Sequence, residues 1–277
     1  MAFATVLFLF TQKTQGQAIT LQNGKVEVGL GIGPSFFLGD LGGQRGIGQP
    51  FIKDINIPLT KLSKGIYLNL YPAEWIGFRV SLNHMVVEGD DAEIDNKGGR
   101  EISRLRRNLY FKSNITEAYA ALEFYPTVFL EQYDGLQGKL RPYGLIGIGA
   151  FHFNPKGYYI GGNGQFKYYV KESLYVGLEI LHRKTFTDYV DDVSTSYIDP
   201  IYFDQYLTPE QATWARQLHY RTPLYEPTTR PFIGYQRGDP KENDAFFTTV
   251  LRFGWRINGD NSPNSRARRQ MRCPKYF

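Results

Sequence analysis

The chain has 277 residues, of which 42% are hydrophobic and 16% aromatic, with a formal net charge of +5. Tyr, Phe and Gly number 20, 20 and 29, a combination that is typical of β-structure with many tight turns and argues against a helical bundle. The single cysteine, Cys273, excludes an internal disulfide and a cysteine-ligated metal cluster.

The N-terminus carries an export pattern. Residues 2–10 (AFATVLFLF) are apolar, and a polar stretch containing the small residues Gly16 and Ala18 follows. This order is typical of a secretory signal, although no Lys or Arg precedes the apolar run. We therefore predict a signal peptide over residues 1–18. Later stretches fall short of the roughly 18 apolar residues that a membrane helix needs, so any membrane crossing is expected to use strands.

Five segments alternate between apolar and polar or small residues with a period of two, which predicts β-strands. In chain order they cover residues 26–35, 75–84, 117–124, 173–183 and 247–257. Weaker candidates at 64–72, 141–153 and 160–170 bring the expected number to about eight.

The connections between these segments alternate in length, as they do in outer-membrane barrels. Short links near Pro72 and Lys171 contrast with long ones at 37–63, 87–111 and 188–243. We therefore expect an all-β protein, an antiparallel transmembrane β-barrel of about eight strands with long extracellular loops, over residues 19–257. An even strand number places both termini in the periplasm, including a basic tail at 258–277.

The alternation alone leaves open which face points outward, because a soluble lipocalin-like barrel has the same period. In the membrane arrangement the apolar faces meet lipid, and charged side chains pair inside a narrow barrel. The export pattern favours this arrangement, as do Phe253 and Trp255, which are placed where an aromatic girdle is expected. The predicted interior charges are then Glu27, Arg79, Glu117, Glu123, Glu179, Arg252 and Arg256.

The excess positive charge is concentrated in the tail, whereas the rest of the chain is close to balanced. This placement argues against nucleic acid as a partner. The tail is either a solvated end or a segment that docks onto a partner. Its basic residues are Arg266, Arg268, Arg269, Arg272 and Lys275.

The polar residues show no pattern of catalysis or metal binding. The four histidines lack the spacing of metal ligands, and no nucleophile is paired with a base. The acidic run Asp188, Asp191, Asp192 and Asp199 could hold a hard cation but lacks the spacing of a calcium loop, so an ordinary solvated loop is expected. We predict neither an enzyme nor a cofactor. Thr208, Pro209 and Gln211 predict the start of a short helix that extends to about Leu218.

Several motifs carry a resemblance to a known family. They are FLGDLGG at 37–43, FHFNPK at 151–156, RKTFTDYVDDVS at 183–194, QRGDP at 236–240 and RCP at 272–274. With these motifs the chain resembles the PorG-like family of outer-membrane proteins of Bacteroidota, over nearly its whole mature length.

The resemblance implies a barrel associated with the type IX secretion and gliding machinery, in contact with periplasmic ring proteins of the PorK and PorN kind. The function expected from it is a non-enzymatic structural component that anchors that ring. The alternative is a small outer-membrane barrel that binds lipid or an extracellular ligand through its long loops.

Overall fold

The computed structural model describes residues 25–41, 57–93, 101–129, 140–153, 156–171, 173–225 and 233–258. Eight strands form a closed ring in which each pairs antiparallel with the next, and β1 pairs with β8. The strands are β1 (Val26–Leu38), β2 (Lys61–Ala73), β3 (Ile76–Asp90), β4 (Tyr110–Phe124), β5 (Leu140–His152), β6 (Lys156–Lys171), β7 (Leu174–Thr185) and β8 (Ala245–Ile257). The predicted fold of an eight-stranded antiparallel barrel is confirmed.

The two faces of the barrel differ in the way that the alternation predicts. Leu30, Val80 and Ile148 point outward and are between 59% and 67% exposed. Their neighbours in sequence point inward, where polar, charged and aromatic side chains fill the barrel. Because an eight-stranded barrel is only wide enough for side chains, this interior is a packed core.

The two ends of the barrel also differ. At one end, which we call the turn end, β2 turns directly into β3, with Ala73 opposite Ile76, and β6 turns into β7, with Lys171 opposite Leu174. The start of β1 and the end of β8 lie at this same end, since Val26 pairs with Ile257. The long β1–β2, β3–β4 and β7–β8 connections emerge at the other end, which we call the loop end. The β5–β6 connection also lies there but is tight, because β6 begins at Lys156.

The described parts of the long connections contain four α-helices: α1 (Glu101–Arg107) between β3 and β4, and α2 (Ile201–Tyr206), α3 (Pro209–His219) and α4 (Thr222–Tyr225) between β7 and β8. The predicted helix at 209–218 is confirmed as α3. Its cap is reciprocal, since Thr208 accepts from the backbone of Gln211 and the Gln211 side chain accepts from the backbone of Thr208. No helix within the described ranges has the length and apolar character needed to cross a membrane.

Two predicted segments lie outside the described residues. These are the signal peptide at 1–18 and the basic part of the tail, with Arg266, Arg268, Arg269, Arg272 and Lys275.

Candidate functional site

The barrel interior holds the charged side chains that the alternation assigned to it. Glu27, Arg79, Glu117, Glu123, Glu179 and Arg252 are at most 3% exposed, and the Arg256 side chain, close to the turn end, is 18% exposed. Lys167 and Arg183 lie inside with them at 0% and 1% exposure. A charge in such surroundings is tolerated only if it is paired and hydrogen-bonded.

Near the turn end, Glu27 is the centre of a dense network. It accepts hydrogen bonds from Lys167 at 3.1 Å, from Arg256 at 2.8 Å and from the hydroxyls of Tyr71 and Tyr169, each at 2.8 Å. Lys167 also donates to the Tyr71 hydroxyl at 2.6 Å. Both oxygens of the carboxylate are thereby satisfied by protein donors, and strands β1, β2, β6 and β8 are tied across the interior.

In the middle of the barrel, Arg79 joins two glutamates. Its guanidinium forms ion pairs with Glu123 and Glu179 and donates to the Tyr143 hydroxyl at 2.9 Å. Glu179 is paired a second time, with Arg252 at 2.5 Å. Closer to the loop end, Arg183 pairs with Glu117 at 2.6 Å.

Two tyrosines cross the line where the first and last strands close the barrel. Gly29 pairs with Tyr67 on one side and with Gly254 on the other, and Gly254 pairs with Tyr175, so the four residues form one row. The tyrosine hydroxyls meet at 2.6 Å. A Cβ on Gly29 would lie 2.2 Å from the Tyr67 hydroxyl oxygen, and one on Gly254 would lie 2.2 Å from the Tyr175 ring. The glycines therefore provide the space in which the rings lie.

Exposed aromatic side chains surround the turn end. The predicted girdle residues Phe253 and Trp255 point outward and are 47% and 53% exposed. Trp75, Phe124 and Phe129 form a second outward group with ring centroids 6.2–6.3 Å apart. Tryptophan at such positions is typical of proteins that meet a membrane–water interface.

At the loop end, buried carboxylates hold the long connections together in a cap. Asp191 accepts from the backbone nitrogens of Leu41 at 3.1 Å and Val193 at 2.8 Å. Asp244 accepts from the backbone nitrogen of Val190 at 2.8 Å. The Asp191 bonds link the β1–β2 connection to the β7–β8 connection, and the Asp244 bond ties the two ends of the β7–β8 connection to each other.

Arg107, at the end of α1, joins the third connection to this cap. Its guanidinium binds Asp91 at 2.8 Å and donates to the backbone oxygens of Arg237, at 2.8 Å, and Asp40. The expectation of an ordinary solvated acidic loop is therefore wrong for Asp188 and Asp191, which are 7% and 2% exposed. Nor do the acidic residues form a cation site: in the ranges that the structure describes, no three His, Cys, Asp or Glu side chains are arranged to hold a metal ion.

Burial changes the protonation of these carboxyls. The pKa of Asp188 is raised to about 6, mainly by burial and to a smaller extent by the nearby charges of Asp40 and Asp239. Burial is also the main cause that raises the pKa of Asp191 and of Asp244, and the charge of Asp40 raises both further. The positive charge of Arg107 lowers the pKa of Asp191 and so offsets part of this increase. Asp188, Asp191 and Asp244 are therefore protonated more readily in the cap than in water.

We expect the cap to become less stable as the pH rises. Because the pKa of Asp188 is raised in the closed cap above its ordinary value near 4, its contribution is complete below about pH 4 and is lost as the pH passes about 6. Hydrogen exchange of the Leu41, Val190 and Val193 amides at pH 5 and pH 8, corrected for intrinsic rates, measures this. The variant Asp188→Asn should show a smaller pH effect. Protection that is equal at both pH values, or greater at pH 8, would contradict the expectation.

Comparisons with known proteins add little to this picture. No protein-family model matches the chain, and no curated protein matches it. Among solved structures, the chain is similar to a major outer membrane protein from Thermus thermophilus, with 11% sequence identity and a TM-score of 0.38. That similarity covers 83% of this chain and 98% of the other. The fold assignment therefore depends on the strand pairing itself.

Sequence reasoning missed Lys167, Arg183, the tyrosine–glycine row and the buried cap. Lys167 lies in the weaker candidate strand at 160–170, for which no inward residues were predicted. The row and the cap depend on cross-strand register and on contacts between distant loops, for which the sequence carries no local signal.

Proposed function

We propose that the chain is a non-enzymatic outer-membrane β-barrel that anchors other components to the membrane. One observation carries this proposal: a closed barrel has an apolar outer surface and an interior filled with ion pairs. In water, an outer face with Leu30, Val80, Ile146 and Ile148 at 59–67% exposure would leave a continuous apolar band unburied. In a bilayer the same band contacts acyl chains, and closure of the ring satisfies the backbone hydrogen bonds.

The packed interior supports a scaffold role over a transport role. Arg79, Arg183, Tyr125 and Tyr175 are among the largest fully buried side chains of the described residues. Opening a path would separate ion pairs from their partners, which is costly at such sites. Surfaces that could bind other molecules therefore lie at the two ends of the barrel rather than in its interior.

We further propose that the scaffold serves the type IX secretion and gliding machinery and holds a ring of PorK- and PorN-like proteins on its periplasmic side. The support for this step is the resemblance of the FLGDLGG, RKTFTDYVDDVS and QRGDP motifs to the PorG-like family. The contact surfaces would be the turn end and the basic tail. A basic segment on that side suits an acidic partner surface.

The test replaces five basic residues of the tail by glutamine in the full chain, which is expressed in the bacterium that naturally produces it. They are Arg266, Arg268, Arg269, Arg272 and Lys275. The barrel should reach the outer membrane in normal amounts, while cross-linked recovery of periplasmic ring proteins should fall at least tenfold. The control is Arg216→Gln in α3, an exposed basic residue at the loop end that is paired with Asp204. Unchanged recovery with the neutral tail would overturn the proposed partner, while leaving the barrel assignment in place.

A second candidate function, ligand binding through the loops, is favoured by the helices of the β7–β8 connection. Tyr206, Trp214 and Leu224 there are 80%, 64% and 71% exposed. Substituting these three by serine would reduce adhesion to an extracellular ligand while secretion stays normal, if this second function is the correct one.

A further inference from the structure

Three of the four histidines, which are far apart in the sequence, lie on the outer surface of the strands. His84 on β3, His152 on β5 and His182 on β7 all occupy outward positions toward the loop end. Two of them belong to one cross-strand row. Lys64 of β2 pairs with His84, His84 pairs with Thr116 of β4, and Thr116 pairs with His152.

This row, Lys64–His84–Thr116–His152, is continuous over four neighbouring strands. At the usual spacing of about 4.8 Å between strands it is about 14 Å long. The His84 ring and the Thr116 hydroxyl are already hydrogen-bonded at 3.0 Å, so adjacent members of the row are close enough to act on one ligand. Lys64, Thr116 and His152 are exposed, and His84 is partly exposed.

The row lies at the loop-end border of the apolar band. The outward residues next to it on the turn-end side are Ile66, Leu82, Ala118 and Ala150. The first three also line an apolar groove of about 1010 Å³ on the outer face. A molecule bound at the row would therefore have polar donors at one end and an apolar surface immediately beneath.

The outward positions that flank the row on the described strands carry no carboxylate. On the loop-end side they are Leu62, Val86 and Asn114. The first outward carboxylate beyond them is Glu88, which is paired with Lys61 at 3.2 Å and Lys112 at 3.6 Å. An anion at the row would meet one ammonium group, two imidazoles and a hydroxyl without opposing charge.

We propose that the row Lys64–His84–Thr116–His152 binds the phosphate group of an anionic glycolipid of the outer leaflet, whose acyl chains lie on the apolar band below. This inference rests on the proposed membrane location and deepens it. A lipid is favoured over a free anion because exposed ionic contacts alone are weak, whereas a lipid adds burial of apolar surface at the same site.

Native mass spectrometry of the full protein in detergent, titrated with diphosphoryl lipid A, tests this. The triple variant Lys64→Gln, His84→Gln, His152→Gln should bind lipid A at least tenfold more weakly than wild type. The control Lys171→Gln removes an exposed lysine at the turn end and should bind normally. Lipid A without its phosphates should bind wild type as weakly as diphosphoryl lipid A binds the triple variant, and millimolar inorganic phosphate should not displace the lipid.

Equal affinity of wild type and triple variant would overturn the inference. Displacement by inorganic phosphate would also overturn it, since it would identify a site for free anions. Insertion of the same samples into bilayers, followed by their heat-modifiable migration on gels, separates the two proposals. If wild type inserts and the affinities are equal, only the lipid site is wrong. If wild type does not insert, the membrane barrel itself is wrong.

Discussion

Replacing Arg79 by methionine is expected to lower the free energy of unfolding by about 3–5 kcal/mol, because it removes the buried cation that Glu123 and Glu179 share and leaves Glu123 with Lys167, at 3.4 Å, as its cation. Arg79 is 1% exposed and is the cation shared by Glu123 and Glu179. Methionine fills much of the same space, so the loss of stability reflects the missing charge more than the missing volume. Urea titration of the protein refolded in detergent micelles gives the free energy.

A second substitution tests this explanation. In the double variant Arg79→Met, Glu123→Gln, Glu179 keeps Arg252, and Lys167 keeps Glu27. Because the double variant also removes the charge of Glu123, the carboxylate that loses its close ion pair with Arg79, it should recover a large part of the stability that the single variant loses. Arg216→Met, in the exposed pair with Asp204, should leave unfolding unchanged. A single Arg79 variant as stable as wild type would show that the interior is hydrated and would contradict the packed network.

Replacing Gly254 by valine is expected to cost about 3 kcal/mol and to reduce the yield of folded barrel, because the new side chain occupies the place of the Tyr175 ring. The Cβ alone would lie 2.2 Å from that ring. Displacing Tyr175 breaks its hydroxyl contact with Tyr67, whose ring lies 4.4 Å from the Arg252 guanidinium. The substitution therefore acts on the strand pair that closes the barrel and on the ionic network beside it.

Gly164→Val provides the matched control, since it places the same side chain on an outward position of β6. No atom lies within 4 Å of a Cβ at Gly164, and the neighbouring outward residue Phe166 is 53% exposed. The control should fold in normal yield, which heat-modifiable migration on gels measures. Equal yields for Gly254→Val and Gly164→Val would mean that the tyrosines do not lie over the glycines.

The strands could be predicted from the sequence because one side of each is apolar and the other is polar or small. In β8 the alternation from Phe247 to Ile257 is nearly unbroken, and the strand ends at Ile257 as expected. In β6 the segment GGNG at 161–164 interrupts the alternation, so its inward residues received no assignment and Lys167 was missed. A small or polar residue on both faces removes the signal on which the method depends.

The histidine row and the cap, both toward the loop end, depend on information that a single sequence does not hold. His84 and His152 are 68 residues apart in the sequence, and no local pattern links them. The register of β3, β4 and β5 places them in the same cross-strand row. The cap has the same character, because Asp191 and Asp244 become buried through contacts with Leu41 and Val190, which are distant from them in the sequence. Periodicity predicts elements, whereas these sites arise from how the elements pair.

Quenching of tryptophan fluorescence tests most directly whether the outer face of the barrel meets lipid. Of the three tryptophans, Trp255 lies outward on β8 and Trp214 lies on α3 at the loop end. The variant Trp75→Phe, Trp214→Phe leaves Trp255 alone, and Trp75→Phe, Trp255→Phe leaves Trp214. In bilayers with brominated acyl chains, Trp255 should be strongly quenched and should resist aqueous acrylamide, whereas Trp214 should show the opposite. Trp255 fluorescence that acrylamide quenches freely and brominated chains leave unchanged would contradict the membrane barrel.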